Sequence, residues 1–201
     1  QELGVHGLND LASANPERLA VEMERFGEQH GDVARVLVAQ AVAQRDGLVE
    51  RLDSTFALPE LQGAPGVLLY DIESDPDARH DFLHGFLRLP RQSDGRWDLA
   101  AATYHPLLVM AEHGEQRSWL RLQRLLSRYD GWPILHYGET ETLSLRRLAQ
   151  RQGASDAQLR RLKRRLVDVH ARIRSHWRLP LSSYGLKSVA AWRGFRWSQS
   201  G

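Results

Sequence analysis

The sequence predicts an α/β fold: a mixed sheet, built from an antiparallel meander plus a parallel strand, flanked by helices and preceded by a small helical segment. Three observations predict it. The apolar run Gly66-Val67-Leu68-Leu69-Tyr70 delivers two acids, Asp71 and Glu73, to the end of what reads as a buried strand. Two extended stretches separated by turn residues follow it, as in a hairpin-connected meander. A strongly amphipathic helical stretch then precedes a further apolar run, Trp132-Pro133-Ile134-Leu135-His136-Tyr137, and a strand reached through a helix returns parallel to the first.

Residues 1–57 make up the helical segment. Asn9 or Asp10 is placed to cap a short helix through Leu11, and Asn15-Pro16 opens a second helix with proline at its first position. A third starts at Gly31-Asp32 and runs to about Leu52, with Val33, Val36, Leu37, Gln40, Ala41 and Gln44 on one face. The proline- and glycine-punctuated stretch from Phe56 to Gly66 is a linker, and the second domain takes residues 58–201.

Within that domain Phe82 to Leu89 reads as a second strand, Ser93-Asp94-Gly95 as a turn and Trp97 to Thr103 as a third strand. His80 and His84 have the i,i+4 spacing of a helical metal pair, but the stretch is extended and has no third ligand nearby, so zinc is not expected there. Glu112 to Tyr129 predicts the amphipathic helix, with Trp119, Leu122, Leu125 and Leu126 turned inward. Gly138 permits a tight turn after the next strand, and a helix from about Thr140 to Gly153 carries Glu141 in its first turn, where the helix dipole favours an acid. Ser155 to Leu166 predicts an arginine-rich helix with Leu159, Leu162 and Leu166 as its seam, while Arg160, Arg161, Lys163, Arg164 and Arg165 face water or backbone phosphate. Leu179 to Trp192 reads as a loop and a short helix capped by Ser182 or Ser183.

Side chains alternate along a strand, so Asp71 and Glu73 point the same way, about 6.6 Å apart. Two carboxylates so placed repel each other and lose hydration, and a hard divalent cation resolves both costs. A strand that simply ends in the polar turn Ser74-Asp75-Pro76 accounts for the same residues.

Three ordered segments, Tyr70-Asp71-Ile72-Glu73-Ser74-Asp75-Pro76, His136-Tyr137-Gly138-Glu139-Thr140-Glu141 and Ser183-Tyr184-Gly185-Leu186-Lys187, resemble the RNase H-like, DEDD-type (DnaQ-like) 3'-5' exonuclease superfamily. More closely, they resemble a group of bacterial RecB-family nucleases with an RNase H-like domain. The resemblance covers about Leu58 to Trp197. It implies metal-dependent hydrolysis of phosphodiester bonds in DNA or RNA, of the 3'-5' exonuclease type, at a two-metal site of Mg²⁺ or Mn²⁺. The catalytic and metal-holding residues it implies are Asp71, Glu73 and Glu141, the last standing where the superfamily usually has an aspartate. Asp168, in a segment similar to the family's Val-Asp-Leu, would cap or support the acids from behind. His136, Tyr137, Tyr184 and Lys187 would meet nucleic acid, Tyr184 by stacking on a base and Lys187 by holding a phosphate.

The resemblance also implies a fourth acid in a Tyr-x-x-x-Asp motif. None matches after Trp197, and no Asp or Glu follows Asp168. The expectation is therefore a domain truncated before its last acidic motif. The alternative is a catalytically incomplete nucleic-acid-binding or scaffold module of a larger nuclease or helicase protein, with DNA expected over RNA.

The chain has 201 residues, 42% hydrophobic and 26% charged, in the range of globular proteins. Its formal charge of +2 hides an asymmetry: from Glu141 onward 14 Lys and Arg face 3 acids, leaving 13 basic and 22 acidic residues before that point. A basic final third suits a polyanionic partner. There are no cysteines, so neither disulfides nor thiolate metal sites are available. No apolar run reaches the roughly 18 residues of a membrane span and no basic, apolar leader opens the sequence, so the expected location is cytoplasmic, away from membranes.

Overall fold

The structure, a computed structural model, describes residues 4–75, 80–109 and 114–196. The chain divides into two compact units, one of Gln1–Thr55 with Ile173–Gly201 and one of Phe56–Arg172. The last part of the chain groups with the N-terminal helices and not with the sheet.

The first unit opens with α1 (Leu8–Ser13), α2 (Pro16–Glu24), α3 (Glu28–Gly31) and α4 (Ala34–Asp46). Asn15 caps α2 as its sequence suggests, its side chain accepting from the Arg18 N–H at 2.9 Å. Neither Asn9 nor Asp10 caps α1; its N-cap is Gly7, and the Asp10 carboxylate accepts from His6 N–H instead. Helix α4 ends at Asp46, short of Leu52, because Gly47 adopts φ 66°, the left-handed conformation that closes a helix at little cost for glycine. The buried face of α4 carries Ala34 and Val38, which pack with Leu19, and Ala41 is buried too, whereas Val33, Val36 and Leu37 of the expected stripe are exposed. Apolar residues lie almost all round this helix, so periodicity alone does not choose the face. Strand β1 (Glu50–Arg51) follows.

The second unit holds the sheet. After a 3₁₀ turn at Pro59–Leu61 come β2 (Gly66–Asp75), β3 (His80–Pro90), β4 (Thr103–Leu108), α5 (Gly114–Arg128), β5 (Ile134–His136), α6 (Glu139–Arg151), α7 (Asp156–Arg165) and β6 (Leu166–Asp168). Among the described residues the strand order is β4-β3-β2-β5-β6; β3 is antiparallel to both β2 and β4, while β5 and β6 run parallel to β2. The third meander strand is Thr103–Leu108 and not Trp97 to Thr103; Trp97 makes only an isolated bridge with Arg91. Glu112, where the helix is expected to begin, lies outside the described residues, as do Pro76 and Trp197.

One sheet face builds the core. Leu68, Tyr70, Phe86, Leu107 and Ile134 pack under Trp119, Leu122 and Leu125 of α5, Leu145 and Leu148 of α6, and Leu162 of α7. Inward residues recur at helical spacing on the helices and at every second position on β2, which is why the two periods read from sequence meet in one layer. At the first position of β2 only glycine fits, because a Cβ on residue 66 would come within 2.2 Å of the Trp132 ring. Ser155 closes a capping box with Gln158 at the start of α7. Arg165, expected at the surface, is buried, donating to the main-chain carbonyls of Trp132, Leu126 and Tyr129 at 2.8–3.0 Å. It thereby satisfies acceptors at the end of α5 that would otherwise be left over.

Helix α8 (Val169–His176) then runs from the second unit into the first, where β7 (Trp177–Arg178) pairs with β1 and α9 (Leu186–Trp192) follows. The N-cap of α9 is Gly185, not Ser182 or Ser183, although the Ser183 hydroxyl accepts from the Gly185 N–H. Among the described residues no helix is long and apolar enough to cross a membrane.

Candidate active site

Strands β2, β5 and β6 run in one direction; β5 and β6 end level with Tyr70, while β2 continues to Asp75. Leu69 pairs with Leu135, Leu135 with Val167, and His136 with Asp168, so Asp71, two residues beyond Leu69, stands level with Tyr137. On one side of β2 the chain leaves through the β3 hairpin; on the other it returns through a helix as β5. Such a switch of direction opens a crevice at the carboxyl ends of the parallel strands, the place where open α/β sheets bind ligands.

Asp71 and Glu73 project from the sheet face opposite the helices, and both are exposed. The residue paired with Asp71 across the hairpin is Gly85, so no side chain crowds it from β3. A β-bulge follows Glu73, where pairing shifts from Leu83 to Asp81; bulges of this kind re-aim side chains and are frequent beside active sites.

Glu141 reaches the same end of the sheet from the first turn of α6. Gly138 makes the sharp entry into that helix with φ 116°, a conformation L residues rarely adopt, and a Cβ there would lie 3.7 Å from Glu141 Oε2. Glu141 is only 9% exposed, and its Oε2 has no hydrogen-bond partner. Burial lifts its carboxyl above the ordinary glutamate range; its own main-chain N–H opposes the rise, and the charges of Asp71 and Asp168 add to it. Glu141 therefore feels the charge of an acid on β2 and of another on β6.

The surrounding side chains fix this turn. Asp168 Oδ1 accepts from the N–H groups of Gly138 (3.1 Å) and Ala171 (3.2 Å), tying the start of α8 to the β5–α6 turn. His136 is buried, and its Nδ1 lies 2.8 Å from the Gly138 carbonyl, which can only accept; Nδ1 therefore carries the proton. Nε2 then accepts from the Thr142 hydroxyl at 2.9 Å. Burial holds this imidazole below its usual range, against the opposing effects of the Gly138 bond and Asp168, and keeps it neutral. Both ring nitrogens are thus engaged inside the turn. Tyr137, half-buried, has its phenol pushed up by burial and by the Asp168 charge, and its ring lies 5.3 Å from that of His170. His170 is a titratable group at this site that no sequence pattern singles out, because a lone histidine early in a helix carries no signature.

Tyr184 and Lys187 belong to the other unit. The Tyr184 hydroxyl accepts from Leu179 N–H at 2.7 Å and donates to Gln40 Oε1 at 3.1 Å, while Gln40 Nε2 donates to the Leu179 and Leu181 carbonyls. Lys187 is exposed on α9. His84 is buried with Nδ1 2.9 Å from the Tyr70 hydroxyl.

Among the described residues no three Asp, Glu or His side chains are arranged to hold one metal ion. The donor chemistry nonetheless fits a cation: a buried carboxylate oxygen without a hydrogen bond, destabilised as an anion, beside two further carboxylates. The same feature predicts that Glu141→Gln raises the thermal midpoint of the metal-free protein at pH 8 by about 2–4 °C, roughly 1 kcal/mol. A folded-state value above the unfolded one means that the stability tied to this proton is present in acid and lost as pH rises through the folded-state value. The advantage of the glutamine should therefore vanish toward pH 4, and calorimetry in EDTA across that range checks it.

A mixed five-stranded sheet in this order, with acids gathered at the ends of its parallel strands, defines a nuclease-type α/β fold of the RNase H kind. A family model described as RNase_H superfamily matches residues 68–201, and the chain belongs to that superfamily. No curated protein matches the chain, and no solved structure does.

Proposed function

We propose that this chain carries a metal-dependent nuclease domain hydrolysing phosphodiester bonds of DNA or RNA, of the 3'-5' exonuclease type and nearest to the RecB-family group. The observation that carries it is the raised, unpartnered Glu141 carboxyl beside Asp71 and Asp168 at the switch point of the sheet. Asp71, Glu73 and Glu141 would hold Mg²⁺ or Mn²⁺, and Asp168 would support them. When bound, the metal supplies an activated water and neutralises charge on the phosphate.

The chain's own residues prepare the place. Asp168 fixes the Gly138 turn through its main-chain N–H. Neutral His136 pins Thr142, and with it the first turn of α6, so that Glu141 keeps its direction. Gly85, the cross-strand partner of Asp71, lets the Tyr104 ring lie close over the strand beside that acid. DNA is the preferred polymer, within a larger DNA-repair protein that carries a neighbouring nuclease or helicase module.

A second reading, a nucleic-acid-binding module without activity, is favoured by one observation: no closed three-ligand group exists among the described residues. End-labelled single-stranded DNA and RNA, incubated with the protein in Mn²⁺ and in EDTA, separate the two. Shortening of the label in Mn²⁺ and none in EDTA is the expected outcome. Intact label in both, with the strand still retained by the protein, leaves only the binding module.

A further inference from the structure

Helix α5 carries Arg117, Arg121, Arg124 and Arg128 at intervals of four, three and four residues, a spacing that places them on one stripe. Its buried stripe is Ser118, Trp119, Leu122 and Leu125, so the arginines flank the core seam and do not belong to it. Arg121, Arg124 and Arg128 line a groove of about 380 Å³ with Tyr104 and His105 of β4, the last strand on that side of the sheet. None of these arginines makes an ion pair among the described residues, whereas Arg151 and Arg161 nearby in the fold are matched by Glu115 and Asp130.

His105 gives an independent sign. Its Nε2 is buried without a hydrogen-bond partner, and burial together with the charges of Arg128 and Arg88 holds the ring below its usual range, as expected in a positive field. Tyr104, its neighbour, faces the other way and is 54% exposed. Its hydroxyl lies 2.6 Å from where a Cβ of Gly85 would be, and Gly85 is the cross-strand partner of Asp71. The groove thus wraps the edge of the sheet, with guanidinium groups on the helical side and a phenol on the acid-bearing side.

We propose that this groove is a backbone-binding track for single-stranded nucleic acid, in which Arg121, Arg124 and Arg128 take successive phosphates and Tyr104 stacks on a base as the strand turns onto the face of Asp71. Seven residues of helix rise about 10.5 Å from Arg121 to Arg128, a span that covers two phosphate intervals of an extended strand. Sequence-tolerant binding by arginines with an aromatic platform is the usual chemistry of single-strand grooves. The track deepens the nuclease reading, on which its connection to Asp71 rests; the binding itself does not.

The test is equilibrium binding of a fluorescent 12-nucleotide single strand, DNA in one arm and RNA in the other, in EDTA across a salt series. The variant Arg121→Gln/Arg124→Gln/Arg128→Gln is compared with the charge-matched Arg18→Gln/Arg25→Gln/Arg35→Gln. Each phosphate contact contributes about 0.7 to the slope of log affinity against log salt, so the first variant should lose about 2 from that slope and the second nothing. Equal slopes in all three proteins, or equal losses in both variants, overturn the track. Should the first variant not fold, ultraviolet cross-linking of a 4-thiothymidine or 4-thiouridine strand to the wild-type protein decides: the cross-linked peptide contains Tyr104 or His105, or the proposal is wrong. Loss of binding with no hydrolysis by the wild type in Mn²⁺ would sink the nuclease reading and leave the track standing; hydrolysis with unchanged binding would do the reverse.

Discussion

Asp71→Asn is expected to lower Mn²⁺-dependent hydrolysis of a labelled single strand by about 10³-fold, the equivalent of roughly 4 kcal/mol of transition-state stabilisation. The fold should not suffer. Asp71 is exposed, its partner across the hairpin is Gly85, and its charge presses on the buried Glu141, so removing it relieves a repulsion. Binding in EDTA should persist at wild-type strength or better, because one negative charge fewer faces the phosphate backbone. Equal rates for wild type and variant would contradict the assignment of Asp71 to the chemistry, whatever the family membership.

Phe86→Ala should do the opposite, damaging the fold and leaving the acids in place. Phe86 is fully buried at the centre of β3, with its ring 4.5 Å from that of Tyr70, and it packs with residues of the helical layer. Truncation of a buried phenylalanine costs about 3–5 kcal/mol, and at about 2–4 °C per kcal/mol the thermal midpoint of this unit should fall by roughly 10 °C. Urea unfolding followed by tryptophan fluorescence measures it. A loss under 1 kcal/mol would mean that the sheet and helices are not packed as described.

The parts of this molecule legible in its sequence are those where local pattern and tertiary packing agree. The strand through Tyr70, the helix through Trp119 and Leu122, the Asn15 and Ser155 caps and the Gly138 turn each carry their own signal, and the mixed sheet follows from their order. What was hidden depended on partners distant in the chain. Strand β6 is three residues between two helices, too short to show a period, yet it sets the level of Asp168. Arg165 looks like its neighbours Arg164 and Arg161 in a list of letters; only the carbonyls at the end of α5 make it an interior residue. The role of His136 likewise came from geometry, since a histidine at a strand end reads equally well as facing a ligand or facing a turn. The arginine stripe of α5 was visible all along as spacing, but a helix with so strong a core seam invites attention to its apolar side only.

The bond between Asp168 and the main chain at Gly138 bridges 30 residues and joins the last strand of the sheet to a turn two elements earlier. Such a link forms only after β6 has left the ribosome and docked beside β5. The β2–β3 hairpin can exist long before that moment, bearing Asp71 and Glu73 with nothing to hold Glu141 in place.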